Sequence, residues 1–314
     1  MSIGILLMTF GTSVTSDGVE DYLRSVYRRE PPEDVVAEFK RRFDLVGRSP
    51  LIETTHQQAA NLQGLLDDRH GSGAYRVEVG MLHSDPRIPD ALARLVATGA
   101  TRIVGIVLAP QYSALIMGGY NAAVAAAVDA QGITVPVHVA GAWHDVPGWI
   151  DSLAERVAGT VAEVGDLPIV FTAHSLPEAV VARDPAYLEQ IQQTIRGVAE
   201  RAGLRDDQWQ FGYQSAGHSP EPWLTPDFKD LVPNIAEAGH SGVIFVPVQF
   251  VADHLETLYD IDIAGREEAE EVGLAFHRVP VPNASPAFAE ALRQVVERET
   301  GRPIDRDLRS KRSG

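Results

Sequence analysis

The chain has 314 residues, 45% hydrophobic and 22% charged, an ordinary globular composition with room for one large or two ordinary domains. It has no cysteine, which excludes disulfides, thiolate metal sites, a cysteine nucleophile and a Cys-ligated iron–sulfur cluster. A formal net charge of −16 repels nucleic acid and anionic membrane surfaces, so neither is an expected partner.

In chain order, the first apolar run, Ile3 to Phe10, has no basic leader and ends at Gly11. It reads as a buried strand rather than a signal peptide. No run of about 18 apolar residues follows, so no stable membrane insertion is expected and a cytoplasmic location fits. The connection 11–75 is too long for a simple strand-to-helix crossover and is read as an insertion with one or two helices of its own. Further β-branched runs start near Arg76, Arg102, Val135, Pro168, Trp209, Gly242 and Leu274. Helical patterns separate them, among them Pro89 to Thr98 and Pro147 to Val164. Strands alternating with helices predict βαβ units and mainly parallel sheets.

The eight runs form two sets of four. The third run of each set, from Ile103 and from Gly242, ends with a proline near a Gln-aromatic pair: Pro110-Gln111-Tyr112 and Pro247-Val248-Gln249-Phe250. This weak repeat predicts an α/β protein of two similar Rossmann-like halves, each with a mainly parallel four-stranded sheet flanked by helices. The boundary falls between Gly148 and Asp166, giving halves 1–150 and 151–314. A cleft between such halves favours a ligand, and Gly118-Gly119 permits a sharp bend beside it.

Residues 24–48 hold seven of the 27 Lys and Arg residues against five acids. The bland reading is a solvated helix with i,i+4 pairs. The sharper one is an anion site for carboxylates or phosphates.

Two polar clusters end apolar runs: Ala173-His174-Ser175-Leu176-Pro177 and Asp253-His254-Leu255-Glu256. Ligands of open α/β sheets bind at strand carboxyl ends. Alone, a histidine there is more often structural. A His and a Glu facing one cleft could hold a divalent metal or move protons. Ser175 points away from its neighbour in an extended chain, and no Gly-x-Ser-x-Gly elbow exists, so a hydrolase is disfavoured. If 253–273 is an ordinary helix, Asp253, Glu256 and Asp260 share one face: an exposed acidic stripe, or a path for a hydrated metal leading to Glu256. A calcium-hand reading of Asp260 to Glu271 fails at Ala264, which has no ligand oxygen. With no Gly-x-Gly-x-x-Gly and no P-loop, no nucleotide is expected.

Together these segments resemble the ferrochelatase family over nearly the whole chain, most like the soluble bacterial coproporphyrin III ferrochelatases. The matching stretches are Gly4 to Thr12, Ser49-Pro50-Leu51 with Gln57-Gln58-Ala59, Val107 to Ser113, Ala173 to Pro177, Tyr213-Gln214-Ser215, Pro222-Trp223-Leu224 and Phe250 to Asp260. The resemblance implies insertion of Fe²⁺ as substrate into a free-base porphyrin held between the halves, in haem biosynthesis. It puts the metal-site histidine on His174 and the opposing glutamate on Glu256, with Asp260 next on the metal path. It puts porphyrin contacts on Phe10, Arg28, Arg42, Ser49 and Tyr120. Partners are then the porphyrin, ferrous iron and, as candidates, haem-pathway enzymes.

Three departures stand out. Phe10 occupies the place where the coproporphyrin branch usually has a tyrosine, so residue 10 offers iron no oxygen. The stretch Tyr27-Arg28-Arg29-Glu30-Pro31 is shorter than the family's arginine run. Ala264 stands where a carboxylate often occurs, which weakens an outer metal site. Two other functions compete: a cobalt or nickel chelatase acting on a sirohydrochlorin-like ring, and a non-catalytic porphyrin or haem carrier.

Overall fold

A computed structural model describes residues 2–217 and 221–301. Among these residues, eight strands form two four-stranded sheets. The first contains β1 (Ser2–Thr9), β2 (Tyr75–Met81), β3 (Ala100–Val107) and β4 (Val137–Val139), in the order β2-β1-β3-β4. The second contains β5 (Ile169–His174), β6 (Trp209–Gln214), β7 (Gly242–Pro247) and β8 (Ala275–Arg278), in the order β6-β5-β7-β8. All pairings are parallel, and the two orders are the same pattern repeated. In both sheets the order reverses beside the first strand of the set. The site is therefore expected at the carboxyl ends of β1 and β5. Continuous apolar runs suit strands covered on both faces, and β1 and β7 are buried along nearly their whole lengths.

After a 3₁₀ turn at Ser16–Gly18 come α1 (Val19–Tyr27), α2 (Glu33–Val46) and α3 (Leu51–His70). Only α3 packs as an ordinary crossover, covering the sheet through Leu62 and Leu66. Val19, Leu23 and Phe43 of α1 and α2 form a separate apolar cluster with Leu255 of the second half. The insertion thus docks on the segment that carries Glu256.

The remaining crossovers are α4 (Ile88–Ala97), α5 (Ala114–Gln131), α6 (Pro147–Val164), α7 (Glu178–Val181), α8 (Ala186–Ala202) and α9 (Phe228–Glu237). Then come a π-helix (Glu256–Gly265), α10 (Arg266–Glu271) and α11 (Pro286–Thr300). The predicted bend at Gly118-Gly119 is absent: both lie inside α5. The Ser113 side chain caps that helix by accepting from the Leu115 N–H, and the Met117 N–H closes the first turn on the Ser113 carbonyl. Gly119 instead admits Leu82, whose Cδ1 would lie 3.4 Å from a Cβ there.

One core joins the halves. Ile5 and Leu7 of the first sheet, Phe171 and Val246 of the second, and Trp143, Trp149 and Phe288 between them belong to a single buried cluster. Helix α6 runs through the 150/151 boundary, and α11 returns to pack against α3 and α6. There the buried Glu297 carboxylate meets Arg293, Arg69 and His70, so α11 is tied to α3 by charge as well as packing. Among the described residues no helix is long and apolar enough to cross a membrane.

Candidate active site

The first wall begins where β1 ends. The Leu82 and His83 N–H groups donate to the carbonyls of Thr9 and Phe10, at 3.1 and 2.9 Å, extending the β1–β2 pairing. The Ser84 hydroxyl accepts from the Thr12 N–H at 2.8 Å and donates to the Thr12 carbonyl at 2.7 Å. Gly11 is required between them. Its φ is +91°, and a Cβ would lie 2.7 Å from Ser84 Oγ and 2.9 Å from Ser84 N. This latch leaves Phe10 42% exposed, with the His83 ring 4.5 Å from its own. Ser25 of α1 bonds His83 Nδ1 at 3.1 Å, and Arg87 donates to the same hydroxyl at 3.1 Å. Burial first, then the charges of Arg87 and Arg28, hold the His83 pKa below its ordinary value.

The second wall carries His174, the last residue of β5. Its backbone N–H donates to Gln249 Oε1 at 2.6 Å, and Gln249 Nε2 donates to the buried Tyr187 hydroxyl. The His174 Nδ1 bonds the Ser175 carbonyl, and His254 Nδ1 bonds the Ala252 carbonyl at 2.9 Å. A carbonyl only accepts, so both rings carry a proton on Nδ1 and turn Nε2 outward. Both Nε2 atoms lie 3.7 Å from the same atom, Glu256 Oε2. That distance is an ion-pair separation rather than a hydrogen bond.

Glu256 is half-buried, with 39% of its side chain exposed. Burial alone would raise its pKa. His174 and His254, with Arg42 further off, outweigh that and hold it down to about 2. Burial likewise works to lower the His254 pKa, but the Glu256 carboxylate reverses the sign and the net shift is upward.

The helix bearing Glu256 is a π-helix, which alters the expected acidic stripe. Asp253 lies before its start and turns away, accepting from Asn283 Nδ2 at 2.7 Å and pairing with Arg278 at 3.1 Å. Only Glu256 and Asp260 remain toward the cleft. Asp260 accepts from the Ser215 hydroxyl, on a backbone at φ +58°, and pairs with Arg42 Nη1 at 3.4 Å. Burial raises the Asp260 pKa despite the Ser215 bond, and the nearby Glu256 adds to the rise. Among the described residues, no three His, Asp or Glu side chains form a ready-made metal cage.

The predicted contact residues are distributed unevenly. Arg42 also bonds Glu38 at 2.8 Å and sits 4.8 Å above the Tyr259 ring, clasping α2 to the π-helix. Arg24, Arg41 and Arg48 are likewise taken up by acids. Arg28, in the left-handed conformation at the end of α1, is exposed and forms no ion pair among the described residues. Ser49 is 2% exposed, and its hydroxyl has no hydrogen-bond partner among the described residues. Tyr120 is packed in the apolar cluster beneath the first wall with Met8 and Met117, and burial raises its pKa.

Sequence reasoning missed His83, Tyr22, Ser25, Ser215 and Gln249, and it left His254 without a role. Tyr22 and Ser25 stand i,i+3 on α1, hence on one face. The Tyr22 hydroxyl is raised by burial and then by the Glu256 charge, while Ser25 touches His83. Helix α1 thus touches His83 through Ser25 and packs through Val19 and Leu23 on Leu255, the neighbour of Glu256.

A family model described as Ferrochelatase matches residues 2–300. A coproporphyrin III ferrochelatase of Geobacillus kaustophilus (strain HTA426) is 36% identical, over 96% of this chain and 98% of the relative. One of Bacillus subtilis (strain 168) is 34% identical over 96% and 98%. Among solved structures, the cobalt complex of the sirohydrochlorin chelatase SirB from Bacillus subtilis subspecies spizizenii superposes with a TM-score of 0.56 at 13% identity, covering 95% of each chain. CbiX, described as the terminal enzyme of sirohaem biosynthesis in denitrifying bacteria, gives 0.56 at 12%, covering 95% of this chain and 99% of the other. Likeness at that identity concerns the fold alone.

Proposed function

This chain belongs to the ferrochelatase family, and from that premise we propose that it inserts Fe²⁺ into a free-base porphyrin, coproporphyrin III, in haem biosynthesis. The reaction takes up Fe²⁺ and releases the two pyrrole N–H protons, so charge balances. It needs groups that strip water from the metal and groups that accept protons.

The observation that carries the reading is the convergence of His174 and His254 Nε2 on Glu256 Oε2, each at 3.7 Å. With Nδ1–H fixed on carbonyls, each ring in its neutral form can offer a lone pair at Nε2 to ferrous iron or to a pyrrole proton. The ionised Glu256 between them balances the charge of either. We assign His174 and Glu256 to metal and proton handling, with Asp260 as the next carboxylate outward. Arg28 and Arg42 are assigned to propionate binding, together with the unpartnered Ser49 hydroxyl. Phe10 offers its exposed ring to the macrocycle, and Tyr120 supports that wall from beneath. The free-base ring comes from one haem-pathway enzyme in the cytoplasm, and its iron complex passes to another.

A sirohydrochlorin chelatase rests on likeness of fold alone. A pure carrier has no use for a carboxylate held ionised between two histidines. The test is metal insertion with coproporphyrin III, protoporphyrin IX and sirohydrochlorin, in wild type and His174→Ala. Iron coproporphyrin should form with wild type, and the variant should bind the free base but not metallate it. No turnover with any ring, or near-normal turnover in His174→Ala, refutes the assignment.

A further inference from the structure

We propose that His83 is the axial ligand of the iron in the metallated product, in the place left empty by an oxygen-free side chain at residue 10. The inference rests on the porphyrin-metallating reading above.

A flat ring between two walls turns one face to each. The second wall presents His174, His254 and Glu256. The first presents Phe10, which has no donor atom. Against Phe10, with ring centroids 4.5 Å apart, lies one imidazole, and its Nε2 makes no hydrogen bond among the described residues. Helix α1 holds this imidazole through Ser25 and packs through Val19 and Leu23 on Leu255, the neighbour of Glu256.

The chemistry suits ligation. An iron-bound imidazole must be neutral and carry its proton on the remote nitrogen, held by an oxygen that fixes the ring. The Ser25 hydroxyl is that oxygen, at 3.1 Å from His83 Nδ1, and Arg87 holds the hydroxyl in turn. Burial, then the charges of Arg87 and Arg28, lower the His83 pKa, which favours the neutral ring. His83 Nε2 can then donate its lone pair to ferrous iron with no loss of proton. Imidazole is a good iron ligand and a familiar proximal partner of haem. The His83 backbone is held by its N–H bond to the Phe10 carbonyl and the ring by Ser25, so neither depends on the Phe10 side chain.

The test uses the full chain with added iron coproporphyrin III, so it does not require turnover. In the reduced complex, resonance Raman should show an iron–imidazole stretch that shifts when the protein is labelled with ¹⁵N-histidine. This measurement needs no substitution, so a folding defect cannot obscure it. The band should persist in His174→Ala and His254→Ala and vanish in His83→Gln. Transfer of iron coproporphyrin to apomyoglobin should accelerate about tenfold or more in His83→Gln, the loss of at least ~1.4 kcal/mol of product binding. A wild-type complex without a label-sensitive band, or a band that survives in His83→Gln, overturns the proposal while leaving iron insertion intact. A wild type that neither binds iron coproporphyrin nor metallates coproporphyrin overturns both.

Discussion

Gln249→Leu should destabilise the protein and slow iron insertion together, because one side chain serves both purposes. Gln249 is nearly buried and accepts the His174 N–H at 2.6 Å while donating to the fully buried Tyr187 hydroxyl. Leucine fills similar volume but leaves two polar groups unpartnered. At about 1–3 kcal/mol for each, the loss is about 2–6 kcal/mol. For 314 residues the unfolding entropy near the midpoint is about 0.65 kcal/mol per degree, so the midpoint should fall by roughly 3–9 °C. Freed of its backbone bond, His174 should lose its place opposite Glu256. The kcat for coproporphyrin III should drop while KM changes little, since no propionate contact is touched. Calorimetry and a continuous fluorescence assay of metallation measure the two effects. A variant that melts within about 1 °C of wild type and keeps its kcat would falsify the claim that Gln249 holds the His174 strand end.

Two further predictions concern charge. Arg42→Ala should weaken coproporphyrin III more than protoporphyrin IX, because coproporphyrin carries two additional propionates. A lost bond to a charged group is worth about 1.5–3 kcal/mol. The low end is expected, since Arg42 must exchange Glu38 and Asp260 for its propionate; equal losses in fluorescence titrations would assign Arg42 to the clasp alone. Glu256→Gln should change the pH profile of stability. The His254 pKa is raised in the folded state, so its contribution is full below the unfolded value of about 6.5 and is lost as pH rises through the folded value. Without the carboxylate, burial dominates and the folded pKa falls below the unfolded one. Stability is then present above pH ~6.5 and lost as pH falls through that window. Urea unfolding between pH 5 and 9 reads the sign of the slope, and an unchanged slope refutes the coupling of His254 to Glu256.

The sequence by itself determined the architecture, because strand and helix periods are local. The eight apolar runs start within two residues of the eight strands, and the α6 boundaries at Pro147 and Val164 coincide with the helical pattern. It also singled out His174 and Glu256, each at the polar end of a buried run, and the fold brings these two side chains to 3.7 Å. The acidic stripe was misread because a period of 3.6 was applied to a segment that folds as a π-helix starting at Glu256, which leaves Asp253 to Arg278 and Asn283. Burial of Tyr120 and the continuity of α5 through two glycines were settled by packing partners distant in sequence. His83 shows the limit most clearly. It is separated from Phe10 by 72 residues, and no spacing rule links them. Only the parallel pairing of β1 with β2 and the latch at Gly11 and Ser84 set that imidazole against Phe10. Contacts made by strand pairing across a long insertion leave no period in the chain, so Phe10, His174 and Glu256 were legible at strand ends, while their partners His83, Gln249 and Ser215 were decided by tertiary structure.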